Sequence, residues 1–551
     1  MPGFQLSCWI AAFLAAALGS APVSAETARG VVFDDKNQNG RRDASESGIA
    51  DVIVSNGGEF TRTDADGRYS IAVSDDTTVF IRKPSGWMTA VDGNHLPKFY
   101  YTHKPAGSPM LKYVGVRPTG PLPESIDFAL HRQNESTEFK VVAFGDPQPY
   151  NLREVHYFAH DVVEEVLGVD AKFGFSLGDL VGDDLSLFGP LNDVTGTIGL
   201  PWYNVLGNHD LNFDSPDDAH SDETYEGVYG PACYSFDYAD VHFVVLDDVE
   251  WIGPEGDKKG HYVGAFGERQ LAWLRKDLEL TPPDRLVVCT FHIPLPDVQD
   301  AERDAFLAVV NTRKRSLSLA AHWHQQGQFE MPRAEAVAGA DAAASGTNGH
   351  SHTNGEVAHT THVDFDGHHH FVVGTASGSW WRGMPDEWGI PHTQMRDGAP
   401  NGWLLIQFDA GDYSWKYKAA RRPWSHQMSI YAPDAVTMPD SANTDIFVNF
   451  FAGGPRDKVE IRVDSGEWRT LTRTERVDPY YEELLTRESA LVGPYRKIPD
   501  PNPSPHLWQG KLPTISPGAH VIQARATDRF GQVFEGKRVI RVTEAPVDPG
   551  S

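Results

Sequence analysis

The segments FKVVAFGDPQPY (Phe139–Tyr150), KFGFSLGDLVGDD (Lys172–Asp184) and PWYNVLGNHD (Pro201–Asp210) follow one another along the chain. In each, a short apolar run ends in a Gly-Asp or Gly-Asn-His-Asp turn. Val141 to Phe144, Phe173 to Leu177 and Tyr203 to Leu206 are too short for helices and suit buried parallel strands. Glycine lets the chain turn sharply at the strand end, and the side chain after it is a hard oxygen ligand. Open α/β sheets bind ligands beyond the carboxyl ends of their strands. Asp146, Asp179 and Asn208 are therefore expected to converge at the top of one sheet. Helix capping by these residues explains one such turn, not three.

Downstream the chain keeps alternating strand and helix signals. Leu152 to Leu167 places Val155, Phe158, Val162, Val163, Val166 and Leu167 at helical spacing, completing a β-α-β unit with a right-handed crossover. CYSFDYADVHFVVLDD reads as a hairpin, and Glu268 to Leu280 as an amphipathic helix through Leu271, Leu274 and Leu278. RLVVCTFHIPLP is a strand that ends in His292. Two His-x-His pairs follow. His322-Trp323-His324 succeeds a helical stretch, Ala305 to Arg315, and a strand, Ser316 to Ala320. His350-Ser351-His352 follows ADAAASGTNG, which offers no strand to hold imidazoles. Metal ligands need stiff support, so His322 and His324 are preferred. His350, His352, His359, His362 and the run His368 to His370 are then loop, outlying or adventitious metal-binding histidines, with His370 leading into the strand FVVG.

Taken in order, GDPQ, GDLVGD, GNHD, His292 and His322-x-His324 resemble the calcineurin-like metallophosphoesterases. Their pattern runs GDxH, GDxxD, GNHD/E, a lone His and GHxH. GNHD is intact, and Asp179 matches the bridging acid, but the second acid of GDLVGD, Asp183, comes one place late. Gln148 stands where the family usually has His, and Ala321 where it has Gly, while Gly349 to His352 matches GHxH letter for letter.

The resemblance implies an α/β fold, a two-sheet α/β/β/α sandwich, flanked here by two small all-β sandwich domains. It places Asp146 and His324 on one metal, with Gln148 as a weak oxygen ligand, and Asn208, His292 and His322 on the other. Asp179 bridges the pair. That donor mix suits two divalent or trivalent ions, Mn, Fe or Zn, better than Mg. Two such ions roughly 3.5–4 Å apart would supply a hydroxide nucleophile for a phosphomonoester or phosphodiester. They would also neutralise the phosphoryl oxygens. His209 would protonate the leaving alkoxide with Asp210 orienting it; a merely supporting hydrogen bond is the plainer alternative. Trp380, Trp381, Arg382 and Arg396 lie in loop-like stretches and either line the substrate groove or pack against the next domain.

A chain of 551 residues exceeds one ordinary core, and about three domains is the expectation. Residues 1–25 read as a signal peptide, with an apolar stretch from Cys8 to Leu18 and a small-residue cleavage site at Val23-Ser24-Ala25. This implies a periplasmic or secreted bacterial protein, and no later run is long enough to span a membrane. Residues 26–134 alternate β-branched runs with Asp/Gly turns, the pattern of a small antiparallel sandwich. Within them Asp35, Asn37, Asn39, Arg41, Asp43 and Glu46, with Gly40 at the sharp turn, fit a twelve-residue calcium loop. That loop resembles the B-type repeats of bacterial surface proteins and implies a structural calcium. Residues 138–425 form the phosphoesterase domain. Residues 426–551 carry DIFVNFFAG, KVEIRVD, HVIQARATD and KRVIRVTE, short strands of an immunoglobulin-like domain with no catalytic constellation. WLLIQFD and YSWKYKA read as closing strands of the second sheet. Cys233 and Cys289 are expected as thiols rather than a disulfide.

The net charge of −28 opposes nucleic acid or an anionic membrane as partner. The partners implied are a small phosphoester or a phosphorylated surface polymer or lipid. The rival reading is a surface or glycan-binding module whose phosphoesterase-like domain no longer turns over, to which Gln148 lends weight.

Overall fold

The computed structural model describes residues 26–333 and 367–544. The expected signal peptide, the GHSH stretch, His359 and His362 lie outside the described residues.

Strands Glu138–Phe144, Phe173–Leu177 and Trp202–Val205 lie side by side and parallel, with Phe175 opposite both Ala143 and Tyr203. The last two are wholly buried, which is why they read as unbroken apolar runs. The helix after the first strand starts at Leu152, where the Asn151 side chain accepts from Glu154 N. It passes through a π-helical turn, Ala159–Val163, before Glu164–Val166. Its Val155, Phe158, Val162, Val163 and Val166 are buried at the helical spacing read from sequence.

A second sheet has the strand order Tyr234–Tyr238, Val241–Val245, Leu286–Thr290, Ser316–Ala320, Gly367–Val372, Gly327–Pro332. Its four central strands are parallel. Phe173 of the first sheet packs against Phe236, Tyr238 and Phe243 of the second, so aromatic rings fill the space between layers. Helices Glu268–Glu279 and Asp300–Val310 accompany it, the latter beginning earlier than the expected Ala305.

WLLIQFD and YSWKYKA do not close the second sheet. Gly402–Asp409 pairs antiparallel with the Asp146 strand, Leu405 opposite Val142, and Asp412–Ala419 pairs outside it. The Asp146 strand would otherwise present an open edge, and this hairpin covers it.

Residues 26–132 form two four-stranded sheets. They are not purely antiparallel, since Glu26–Asp34 runs parallel to Phe128–Arg132. Their core is continuous with that of the central sheets, and Trp273 of the Glu268–Glu279 helix stacks on Phe60 and meets Phe80. A buried charge cluster reinforces this contact. Arg82 donates through Nε and Nη2 to Asp237 and through Nη1 to Asp277, while His242 bridges the same two carboxylates at 2.8 and 2.7 Å.

Beyond Gln427 a separate core gathers Ile446, Val448, Trp508, Ile522 and Ile540 between a four-stranded and a five-stranded sheet. This region also holds a helix, Pro479–Ser489, absent from the all-strand expectation. Asp478 caps it and Pro479 opens it, a start signal present in the sequence. Cys233 and Cys289 are both free. No helix among the described residues is long and apolar enough to cross a membrane.

Candidate metal centre

The turns after five strands meet at one place. Asp146, Asp179 and Asn208 leave the first sheet, and His292 and the His322–His324 pair leave the second. His292 Nε2 lies 3.2 Å from both Asn208 Oδ1 and Asp179 Oδ1, and 3.1 Å from His322 Nδ1. His324 Nε2 lies 3.2 Å from Asp146 Oδ2, and His322 N donates to Asp146 Oδ1. The structure thus brings together Asp146, Asp179, Asn208, His292, His322 and His324, all buried except the half-buried His322.

The backbone is strained at this point. Asp146, Gln148, Asp179, His322 and His324 take φ values of 28°, 38°, 47°, 66° and 53°, the left-handed region that costs a non-glycine residue about 1–3 kcal/mol. The glycines before the ligands make room for the crossing turns. A Cβ on Gly207 would stand 1.9 Å from Asp179 N, and one on Gly178 would stand 2.4 Å from His292 Nδ1.

The donor set fits cations. His292 Nδ1–H donates to Leu177 O, which turns Nε2, a lone pair when the ring is neutral, toward Asn208, Asp179 and His322. His324 Nδ1–H donates to Gly378 O, so its Nε2 lone pair faces the Asp146 carboxylate. Lone pairs within 3.2 Å of one another repel unless a positive charge lies among them. Asp146 Oδ2 and Gln148 Oε1 are buried and lack hydrogen-bond partners among the described residues. Gln148 Nε2 donates to Asp179 Oδ2 at 3.2 Å. Without a metal ion, a proton serves as that charge. Burial opposes a charge on His292, yet Asp179 and Asp146 push it up to about 10. Burial would raise Asp179, but His292 and His209 hold it well below the ordinary range. His322 is pushed down to about 4 by burial and by His292.

The expected pairing of His209 with Asp210 is corrected. Asp210 accepts from Leu180 N, Val181 N and Gly207 N, so both its oxygens are committed to tying the Asp179 and Asn208 turns together. Asp183 Oδ1 instead lies 2.5 Å from His209 Nδ1. His209 Nε2 is 4.0 Å from Asp179 Oδ2, on the open side of the centre. Burial, then Asp179, lifts Asp210 to about 8; His209 reaches about 9, with burial outweighed by Asp179 and Asp183. Asp248 accepts from His292 N and Ile293 N and fixes that turn.

A cavity of about 490 Å³ opens over the centre, with His209, Tyr262, Trp380, Arg396 and Asn502 on its walls. Trp380 lies 3.9 Å, centroid to centroid, from the His324 ring, and Arg382 sits over Trp380. Trp381 does not line the groove. It is 2% exposed, donates to Pro147 O and packs on Tyr157, so it supports the turn after Asp146 from within. Asp183, Tyr262 and Asn502 escaped the sequence reading. For Asp183 the signal was its place in GDLVGD; Asn502 had none.

His368, His369 and His370 are engaged inside the fold with Ser316, Ser318, Tyr413 and Arg529 rather than at the centre. In the acidic loop Asp35 accepts from Asn39 N and Gly40 N, and Glu46 from Lys36 N and Asp43 N. Asp43 accepts from the Asn37 and Asn39 amides.

Residues 370–534 match the family model described as the C terminal of calcineurin-like phosphoesterase, and residues 36–112 match that for its N terminal. These two matches support the metallophosphoesterase superfamily for this chain. The C-terminal match in this phosphoesterase chain begins inside Gly367–Val372, well before residue 426. A probable cyclic nucleotide phosphodiesterase of Rhodococcus erythropolis is 36% identical over 55 residues, 10% of this chain and 18% of the relative. The match thus spans about a fifth of that relative's length. A purple acid phosphatase from yellow lupin (Lupinus luteus) seeds aligns over 68% of this chain and 69% of its own at 14% identity, with a TM-score of 0.35. CopC from Methylosinus trichosporium OB3b covers 21% of this chain and 89% of its own at 15% identity, with a TM-score of 0.12. Structural likenesses this slight say nothing of the chemistry.

Proposed function

We propose that this protein hydrolyses phosphomonoesters or phosphodiesters at a centre of two metal ions. Asp146, His324 and Gln148 would hold one, Asn208, His292 and His322 the other, and Asp179 both. The observation that carries the reading is the convergence of His322 Nδ1, Asn208 Oδ1 and Asp179 Oδ1 within 3.2 Å of His292 Nε2. Bound there, divalent or trivalent Mn, Fe or Zn would neutralise phosphoryl oxygens and lower the pKa of an attacking water.

The chain's own residues supply the rest. Asp183 holds His209 Nδ1, which leaves Nε2 toward the cavity to protonate the departing alkoxide. Asp210 and Asp248 hold the two turns that carry Asn208 and His292. Trp380 walls the side next to His324, with Arg382 over its ring. The diesterase name of the Rhodococcus relative favours including diesters among the substrates.

The same reading places residues 1–25 as a signal peptide and the protein in the periplasm or outside the cell. Residues 26–134 and 426–551 would be β-sandwich units around a 138–425 catalytic unit. Calcium would be held in the Asp35–Glu46 loop by the carboxylate lone pairs that the backbone donors to Asp35 and Glu46 leave free. The deciding experiment is hydrolysis of 4-nitrophenyl phosphate and bis(4-nitrophenyl) phosphate by the Mn-, Fe- or Zn-loaded protein, beside Asp179→Ala. Turnover that vanishes in the variant supports the reading. No turnover of either ester with any of the three metals leaves a binding protein.

A further inference from the structure

The Tyr495–Asn502 segment lies in the region where the sequence offered no catalytic residue, yet it is bonded to several elements of the metal pocket. Arg496 Nη2 donates to Glu154 Oε1, on the helix that follows GDPQ, and to Trp380 O. Gly383 N donates to Arg496 O. Asn502 N donates to Arg396 O, and Arg396 Nε donates to Asp500 O. Pro499, Pro501 and Pro503 restrict the backbone, and Tyr481 OH donates to Pro499 O. Behind it, buried Asp397 accepts from His506 Nε2 and from Gln326 N, two residues beyond His324. The segment is thus a braced wall, not a free linker.

At the cavity this wall presents Asn502, whose Nδ2 pairs with Gln325 Oε1 at 3.0 Å. Whichever of the two amides donates, the pair keeps one unused C=O and three unused N–H groups at the cavity lined by both amides. None of these has a further hydrogen-bond partner among the described residues, nor do the terminal nitrogens of Arg396 beside them. A donor and an acceptor side by side complement a pair of neighbouring hydroxyls, each of which both gives and takes a hydrogen bond. An alkyl or aryl leaving group would cover these groups and leave them unpaired, at a cost.

Resting on the phosphoesterase reading, we infer that the Asn502–Gln325 pair, with Arg396, selects phosphoesters of polyhydroxylated alcohols, and that the C-terminal region supplies this specificity wall. The reaction leaves the balance of hydrolysis unchanged: water adds to phosphorus and the polyol leaves as its alcohol.

The test compares glycerol 1-phosphate with propyl phosphate, which lack nothing relative to each other but hydroxyls, each also as its methyl diester. The metal-loaded full chain should favour the glycerol ester by about tenfold or more in kcat/KM, because a site built for hydroxyls rejects the analogue without them. Asn502→Ala and Gln325→Ala should each lower that ratio about fivefold through the glycerol ester. Should Asn502→Ala melt early, Gln325→Ala and Asn502→Asp carry the comparison. Equal rates for the two alcohols, or a ratio that survives both substitutions, overturns the inference while turnover of nitrophenyl esters keeps the phosphoesterase reading. Failure on every ester, nitrophenyl included, removes that reading and this one with it.

Discussion

His209 Nδ1 is 2.5 Å from Asp183 Oδ1, and Asp210, next to it in the chain, is turned away onto three backbone N–H groups. The acid that steadies the proposed proton donor therefore comes from the preceding turn.

Asp183→Asn should lower kcat by about 10²-fold for esters of aliphatic alcohols, whose leaving alkoxides need a proton. Nitrophenyl esters, whose leaving groups do not, should lose far less. An equal loss on both would assign Asp183 to the fold and not to His209. Asp210→Asn should instead lower the melting temperature, since it weakens the bonds to Leu180, Val181 and Gly207.

Gly207→Ala is a test of crowding without a change of charge. Its φ of −118° suits any residue, so only the 1.9 Å approach of the new Cβ to Asp179 N matters. The turn must move, and Asp179 with it. Metal content and kcat should fall together, kcat by about 10²-fold, as displacements near 1 Å cost in positioned sites. A variant that keeps full metal and full rate would show that the Asp179 turn tolerates displacement.

Removing the metals should destabilise the fold as well as stop turnover. Asp146 and Asp179 are 0% and 1% exposed, and without metal ions these buried carboxylates rely on imidazole protonation for compensation. Chelation should lower the melting temperature by about 5 °C or more, and readdition should restore it. Asp179→Asn should abolish about 10³-fold of kcat and the metal-dependent part of the melting shift. An unchanged melting point after complete chelation would count against cations at this centre.

Acid stability should depend on Arg82. Burial would raise Asp237 and Asp277; Arg82 and His242 instead hold both below the ordinary carboxylate range. Carboxyls depressed on folding add stability that is present above about pH 4, their unfolded value, and lost as pH falls through the folded values. Arg82→Ala takes a buried partner from both carboxylates, leaving Asp277 to His242 and Asp237 to His242 and Arg285, and should cost about 3 kcal/mol at pH 7. The deficit against wild type should shrink between pH 5 and pH 3, read by thermal or urea unfolding. A deficit constant across that range would mean that Arg82 acts through packing alone.

Much of the centre was legible because its parts are local. A strand that ends in Gly-Asp or Gly-Asn-His-Asp announces both a sharp turn and a hard ligand, and parallel order brings successive strand ends to one edge. His322 and His324 were preferred over His350 and His352 because a strand precedes them, and Ser316–Ala320 is that strand. The helix Pro479–Ser489 was missed despite Asp478-Pro479 at its start, since the surrounding alternation dominated the reading. The hairpin Gly402–Ala419 was given to the wrong sheet because period-two alternation tells which face is buried, not which edge is covered.

By itself the sequence determined the strand-end turns, the residues proposed as metal ligands and their order along the chain, because those follow from neighbours a few residues apart. Only the tertiary structure decided which carboxylate holds His209, that Trp381 faces inward, and that Asn502 reaches the pocket wall. Those relations join residues far apart in the chain, and no local spacing encodes a contact made by the docking of one sheet or loop upon another.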